Sequence, residues 1–268
     1  MIQEYKDCYI AFLDILGFRS LIQTYGFEEI KKIYNKILDF QVKPLIKANV
    51  YQEINSYIMS DSVVLYIAAE LTDSFIALLD TCLQLQIKLL LNNPPIFLRG
   101  GIDKGLLYHQ GNIIFGEGLI KAYTLESQLA VYPRIIFTKG IRDSARDNMA
   151  RLGVFDYKPS LYKKDFDELY YVNYLETFNY LPSLPPGSVE EIEKFENRYY
   201  EKLLENIDEI LSVEISKSIR EKYCWVKQKV YENIENIPSV KEYFEDKEKK
   251  KKENEMQRLQ YFIKNNKE

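Results

Sequence analysis

Phe12-Leu13-Asp14-Ile15-Leu16-Gly17-Phe18 decides how this chain is read, together with Met59-Ser60-Asp61-Ser62-Val63-Val64. Each puts one carboxylate at the end of an apolar run of strand-like composition. Asp14 follows Cys8-Tyr9-Ile10-Ala11-Phe12-Leu13. Asp61 occupies a short polar turn between Ile54-Asn55-Ser56-Tyr57-Ile58-Met59 and Val63-Val64-Leu65-Tyr66-Ile67. A charge at a strand end is costly unless it is solvated, paired or bound to a cation. Two such carboxylates brought together repel each other, and a divalent metal relieves that repulsion. Hard oxygen ligands favour Mg²⁺ or Mn²⁺, and those ions imply phosphate chemistry.

The segments around these two stretches alternate in period. Residues 8–14 read as a strand, and Gly17 then lets the chain turn. Residues 18–39 read as one or two amphipathic helices broken near Gly26, with Pro44 closing the section. A hairpin is expected over about 51–59 and 62–68, with its turn at Ser60-Asp61. Residues 73–92 form an apolar helix ended by Asn92-Asn93-Pro94-Pro95. A strand over 96–107 carries Gly100-Gly101, and the next hairpin returns through Asn112-Ile113-Ile114-Phe115. Gly116 and Gly118 open a helix to about Ala130, followed by a strand over 134–138. The order β-α-β-β-α-β-β-α-β predicts an α+β domain, a mostly antiparallel sheet with helices on one face. Beyond residue 140 the pattern weakens to a late strand over 169–174. Leu181-Pro182-Ser183-Leu184-Pro185-Pro186-Gly187-Ser188 reads as a linker. Two helices are expected over 189–235, and from Lys241 a solvated charged helix or tail. The domain division is therefore 1–180 for the sheet domain and 181–268 for a helical extension packing on it, charged after about 245.

Composition narrows the chemistry. The chain has 268 residues, 46% hydrophobic and 28% charged, enough for a sizeable core in a folded soluble protein. A net charge of −4 argues against nucleic-acid or anionic-membrane binding. Cys8, Cys82 and Cys224 are widely spaced and odd in number, as for buried thiols in a reducing cytosol rather than disulfides or a zinc site. The apolar runs are too short or too charged to span a bilayer. The N-terminal Met-Ile-Gln-Glu-Tyr-Lys-Asp lacks a signal-peptide pattern, so a cytoplasmic location is expected. His109 is the only histidine, and it reads as a surface hairpin residue. Chemistry must then run on carboxylates, Lys, Arg, Tyr and metal.

Over roughly residues 5–140 the chain resembles class III nucleotidyl cyclases. Phe12–Phe18 is similar to the family's first metal-binding strand, and Ser60-Asp61-Ser62 to its second metal Asp in a hairpin. Arg99-Gly100-Gly101-Ile102 and the run Gly116-Glu117-Gly118-Leu119-Ile120-Lys121-Ala122-Tyr123-Thr124-Leu125-Glu126-Ser127 resemble the following strand and helix. The resemblance implies the class III cyclase-type, ferredoxin-like fold. It departs from the purine cyclases at four positions: Tyr57 and Ile113 stand where those use a base-reading Lys and Asp, and Ile120 and Thr124 where they use Asn and a transition-state Arg. Tyr57, the Arg-Gly-Gly-Ile and Ala-Tyr-x-Leu-Glu-Ser motifs, and the late Lys222-Tyr223-Cys224-Trp225 resemble the pyrimidine cyclases of Pycsar anti-phage systems. There the product, cyclic UMP or cyclic CMP, activates a separate effector protein not bound to the cyclase.

In such a reaction the ribose 3′-hydroxyl attacks the α-phosphorus and pyrophosphate leaves, supported by two divalent ions, Mn²⁺ or Mg²⁺. The resemblance implies that Asp14 and Asp61 bridge both ions, with the Ile15 carbonyl as an extra ligand. Gly17 would let the backbone at Phe18 approach phosphate oxygens. Arg99, Lys121 and Arg134 are the candidate cations for the leaving group, and the sequence does not choose among them. Tyr57 would contact the base. Glu126 reads as structural. The resemblance also implies a nucleoside triphosphate substrate and a homodimer with shared sites. A purine cyclase and a catalytically silent nucleotide sensor remain the alternatives. The Gly-Gly-(Asp/Glu)-Glu-Phe signature of diguanylate cyclases is absent.

Overall fold

The fold was analysed from a computed structural model, which describes residues 5–38, 54–70, 73–92, 95–151, 161–175, 189–213 and 215–265. In chain order the elements are β1 (Lys6–Ile15), α1 (Phe18–Thr24), α2 (Phe27–Leu38), β2 (Asn55–Met59), β3 (Ser62–Ala68) and α3 (Ser74–Leu90). Next come β4 (Leu98–Gln110), β5 (Ile113–Phe115), α4 (Glu117–Leu129), β6 (Ile135–Phe137) and α5 (Lys139–Arg151). The chain ends with β7 (Tyr162–Lys164), β8 (Tyr170–Val172), α6 (Val189–Ser212), α7 (Lys217–Asn236) and α8 (Pro238–Asn265). The strands lie in the order β2-β3-β1-β4-β6-β8-β7, with β5 added to β4. Only the β4–β6 pairing is parallel among the described strands. This is the mostly antiparallel α+β sheet that the sequence periodicity implies.

Side-chain alternation along β1 divides the molecule into two layers. Tyr9, Ala11, Leu13 and Ile15 face a large core with Phe75, Leu78, Leu79, Cys82 and Leu83 of α3 and Ile30, Ile33 and Ile37 of α2. Cys8 and Ile10 point the other way and meet Val64, Tyr66, Leu107 and Ala122. Helix α4 therefore covers the face of the sheet opposite to α3. That is one departure from the expectation of helices on a single face. Gly101 makes it possible: a Cβ there would lie 2.4 Å from the Ala122 carbonyl oxygen and 2.9 Å from the Glu126 amide nitrogen. Both are backbone atoms that cannot step aside.

The C-terminal helices join the larger core. Tyr199, Tyr200, Leu203 and Ile207 of α6 and Trp225, Val226, Val230 and Ile234 of α7 are buried in it. Helix α7 is also fixed by polar contacts. Trp225 Nε1 donates to Asp165 Oδ2 at 3.2 Å, Lys229 Nζ sits 3.2 Å from Asp165 Oδ1, and Lys163 Nζ donates to Asn233 at 3.1 Å. Asp165 in turn accepts from Arg134 Nη1 at 2.6 Å, and Arg134 also grips Asp167. Arg134 is only 1% exposed and lies near the rings of Tyr132, Phe166 and Trp225. The role weighed for it as a leaving-group cation gives way to a structural one, because its guanidinium is consumed by two carboxylates.

Three further differences from the sequence reading follow from partners distant in sequence. His109 is buried rather than on the surface: its Nδ1 lies 2.5 Å from the Tyr66 hydroxyl and its Nε2 3.0 Å from the Gly111 carbonyl oxygen. Helix α5 and strand β7 stand where no regular element was expected. The charged segment after Lys241 takes the helical of its two expected forms, as α8. The linker over 181–188, the domain division near 180, Pro44 and residues 51–53 of the first expected hairpin strand lie outside the described residues.

Candidate active site

The two strand-end carboxylates meet at one end of the sheet. Asp14 is the second-last residue of β1, opposite Ser62 on β3 and Arg99 on β4. The Ile15 amide donates to the Asp61 carbonyl oxygen at 3.0 Å, which ties the β2–β3 turn to the end of β1. That turn holds Ser60 at φ 54°, a left-handed conformation uncommon outside glycine. From α2, the Tyr34 hydroxyl donates to the Ser60 carbonyl oxygen at 2.5 Å. Burial raises the Tyr34 pKa, and the charge of Asp61 adds to it, so the ring stands close to that carboxylate.

Arg99 and Glu126 complete the cluster. Arg99 Nε donates to Asp14 Oδ2 at 2.8 Å, and its Nη2 lies 2.9 Å from Glu126 Oε1. The Arg99–Glu126 contact is close but not aligned as a hydrogen bond, so Glu126 Oε1 is a buried acceptor without a hydrogen-bond donor among the described residues. Burial pushes the Glu126 carboxyl up; Arg99 opposes this, while Asp14 and Asp61 reinforce it. Glu126 therefore feels the charges of both other carboxylates, with the Arg99 guanidinium between it and Asp14. Glu126, read from the sequence as structural, is ion-paired with Arg99 beside Asp14. The available signal is its place in the buried stripe of α4 with Gly118, Ala122 and Leu125, where a carboxylate needs a cationic partner.

Helix α7 closes one side. Its Tyr223 ring meets Phe97 edge-on at 5.1 Å between centroids, and the Phe97 carbonyl accepts from the Leu16 amide at 2.9 Å. Burial lowers the Lys222 pKa, Arg99 lowers it further, and Asp14 and Glu126 pull it back up. The Lys222 ammonium thus belongs to the same electrostatic neighbourhood. In the sequence Lys222 was legible only as part of a resembling segment.

The other sequence candidates sit as follows. Gly17 is left-handed at φ 74°, and nothing lies within 4 Å of where a Cβ would be, so the turn into α1 requires its backbone freedom rather than its small size. Phe18 packs partly buried against Tyr34, 6.2 Å between centroids. Tyr57 is half-buried on the α4 side of the sheet, its ring edge toward His109 and its hydroxyl 3.5 Å from the Asn112 carbonyl oxygen. Ile113 is largely exposed on β5. Lys121 is exposed, 3.3 Å from Glu117, and its charge lowers the pKa of Asp103, which burial raises. It is not joined to the Asp14–Glu126 cluster by any contact among the described residues. Ile120 is exposed, and Thr124 donates its hydroxyl back to the Ile120 carbonyl oxygen at 2.8 Å.

Asp14 and Asp61 supply hard oxygen donors suited to Mg²⁺ or Mn²⁺. Among the described residues no three or more His, Cys, Asp or Glu side chains form a metal-holding group. Two carboxylates suffice for these ions when substrate phosphates complete the coordination, which is how Mg²⁺ is commonly held.

No protein-family model and no curated protein matches the chain. Among solved structures, it is similar to the adenylyl cyclase CyaB from P. aeruginosa, with TM-score 0.42 and 18% identity over 63% of this chain and 94% of that one. It is similar to an adenylate/guanylate cyclase/hydrolase from Silicibacter pomeroyi, with TM-score 0.38 and 15% identity over 63% and 98%. A weaker similarity is to the GGEEF domain of a diguanylate cyclase from Vibrio cholerae, with TM-score 0.31 and 9% identity over 47% and 74%. No helix among the described residues is long and apolar enough to cross a membrane.

Proposed function

We propose that the chain is a metal-dependent nucleotidyl cyclase acting on a pyrimidine nucleoside triphosphate, UTP or CTP. One observation carries this reading: Asp14 and Asp61, from two motifs 47 positions apart in sequence, meet at one sheet end beside Arg99 and Glu126. Bound there with the Ile15 carbonyl as a further ligand, divalent ions would acidify the ribose 3′-hydroxyl and offset charge on the triphosphate. Asp14 and Asp61 would hold those ions at the strand ends. Tyr34 fixes the turn that carries Asp61. Glu126 orients Arg99 toward developing phosphate charge, and Gly17 leaves the backbone at Phe18 open to the triphosphate. The 3′-oxygen forms its bond to the α-phosphorus as the bond to pyrophosphate breaks, and the hydroxyl proton leaves to solvent, since His109 is buried in another contact.

Tyr57 and Ile113 support the pyrimidine preference. Ile113 has no acceptor for a purine amino group, and the Tyr57 hydroxyl is already turned to the Asn112 carbonyl oxygen; a polar base edge left unpaired once the bound base is buried costs about 1–3 kcal/mol. By its resemblance to Pycsar cyclases, the cyclic nucleotide would activate a separate effector in anti-phage defence. A silent nucleotide-binding module is the second reading, favoured by the Arg99–Asp14 ion pair, which already neutralises one expected metal ligand. Incubation with each of the four nucleoside triphosphates and Mn²⁺, followed by product identification, separates the readings. The expected product is cyclic UMP or cyclic CMP, lost in Asp14→Ala and Asp61→Ala. Selective cyclic AMP or cyclic GMP would overturn the base assignment, and no product from any triphosphate would favour the silent module.

A further inference from the structure

We propose that Lys222 of α7 is a catalytic residue of this site, the cation that meets the triphosphate from the helical extension. The assignment rests on the cyclase reading above and names a group that reading lacks. Its basis is position. Tyr223 seats α7 on Phe97, whose backbone is hydrogen-bonded to Leu16 just past Asp14. One residue earlier, the Lys222 side chain stands where Arg99, Asp14 and Glu126 all act on its charge. It forms no hydrogen bond or ion pair with any described residue, whereas Arg99 is held by two carboxylates, Arg134 by two others, and Lys121 by Glu117. Of these candidate cations, Lys222 alone has an ammonium without a hydrogen-bond or ion-pair partner among the described residues.

The helix that carries it does not drift. Val226 and Val230 are fully buried, Trp225 stacks on Tyr132 at 5.4 Å, and Trp225 and Lys229 both bind Asp165. The backbone that carries Lys222 is already fixed, so only its side chain is ordered when the ammonium meets a phosphate oxygen. Pyrophosphate gains negative charge as the α-phosphorus bond breaks. Arg99 can follow that charge only by loosening its hold on Asp14 or Glu126, and Lys222 gives up no partner among the described residues.

The test uses the full chain and two probes: inorganic triphosphate with Mn²⁺ for binding, and the nucleotide that the wild type cyclises for turnover. Lys222→Met keeps the stem and removes the charge, and Lys222→Arg keeps the charge. We expect Lys222→Met to retain the wild-type unfolding temperature, bind triphosphate about tenfold more weakly and lose about a hundredfold in kcat. Lys222→Arg should recover most of both. A packing role would instead lower the unfolding temperature and leave Arg no better than Met, which overturns the assignment. So does wild-type binding and turnover in Lys222→Met, with the cyclase reading left standing. If the wild type cyclises nothing, that reading fails separately and the binding arm decides. Weaker triphosphate binding by Lys222→Met then supports Lys222 as a polyphosphate contact, and equal or absent binding overturns it.

Discussion

At the scale of single residues, Glu126 couples stability to the site. Its carboxyl is 4% exposed and lies beside Asp14, Asp61 and Arg99, and burial raises its pKa above the ordinary range. The folded chain therefore binds a proton more readily than the unfolded chain between the ordinary value and the raised one. Unfolding free energy falls as pH rises through that window, because the native state holds the extra proton. Below the window both states are protonated and the cost is absent; above it the cost is complete. A tenfold gain in proton affinity corresponds to about 1.4 kcal/mol. Glu126→Gln has no such titration, so the stability of the wild type relative to it should decline as pH rises through the window. Urea unfolding of both proteins at stepped pH measures this, and parallel curves would refute it. Arg99 should also lose its register without Glu126, so turnover by the variant is expected to fall at all pH values.

At the scale of elements, the sequence carried most of what local pattern can carry. Alternating apolar positions and Gly or Pro breaks placed β1 to β4 and α2 to α4 within a few residues, because burial of one face is written locally. Asp14 and Asp61 were legible because a carboxylate ending an apolar strand is unusual wherever it pairs. Helix α5 was not legible, since Lys139-Gly140-Ile141-Arg142-Asp143-Ser144-Ala145-Arg146 offers too narrow an apolar stripe. Nor were the burial of Arg134, whose carboxylate partners lie about 30 residues away, and the placing of Lys222 within the electrostatic reach of Arg99, Asp14 and Glu126, roughly 100–200 residues earlier in the chain. Gly101 had a visible signal, a glycine inside a strand, but what it admits is α4 at close range. Gly101→Ala should press on Ala122 and Glu126 backbone atoms, destabilising by about 1–3 kcal/mol. It should lower turnover further than stability alone explains, because α4 carries Glu126 to Arg99. Denaturant midpoints and kcat measured together check this, and an unchanged kcat in the folded variant would show that α4 need not sit so close.

At the scale of the whole molecule, the described residues leave the α4 side of the sheet partly uncovered within one copy. Helices α2, α3, α6 and α7 share the larger core, whereas on the other side α4 covers only part of the sheet. Ile120 is 66% exposed and Tyr123 51% exposed, one turn apart on α4, and Met59 is 61% exposed on the strand that ends at the Ser60-Asp61 turn. Large apolar side chains left in water beside a candidate catalytic cluster suit coverage by another protein surface. From the motif resemblance to cyclases we predict a second copy of this chain as that surface, in a two-fold arrangement that would set α4 of one protomer beside the strand ends of the other. Ile120→Glu places a charge in that contact without touching any residue of the Asp14–Glu126 cluster. We expect the wild type to sediment as a dimer, and Ile120→Glu to sediment as a folded monomer with turnover reduced at least tenfold, since 1.4 kcal/mol of lost assembly already shifts the equilibrium by about that factor. Turnover in the variant should then recover as protein concentration rises. A monomeric Ile120→Glu with full activity at every concentration would mean that each copy holds a complete site.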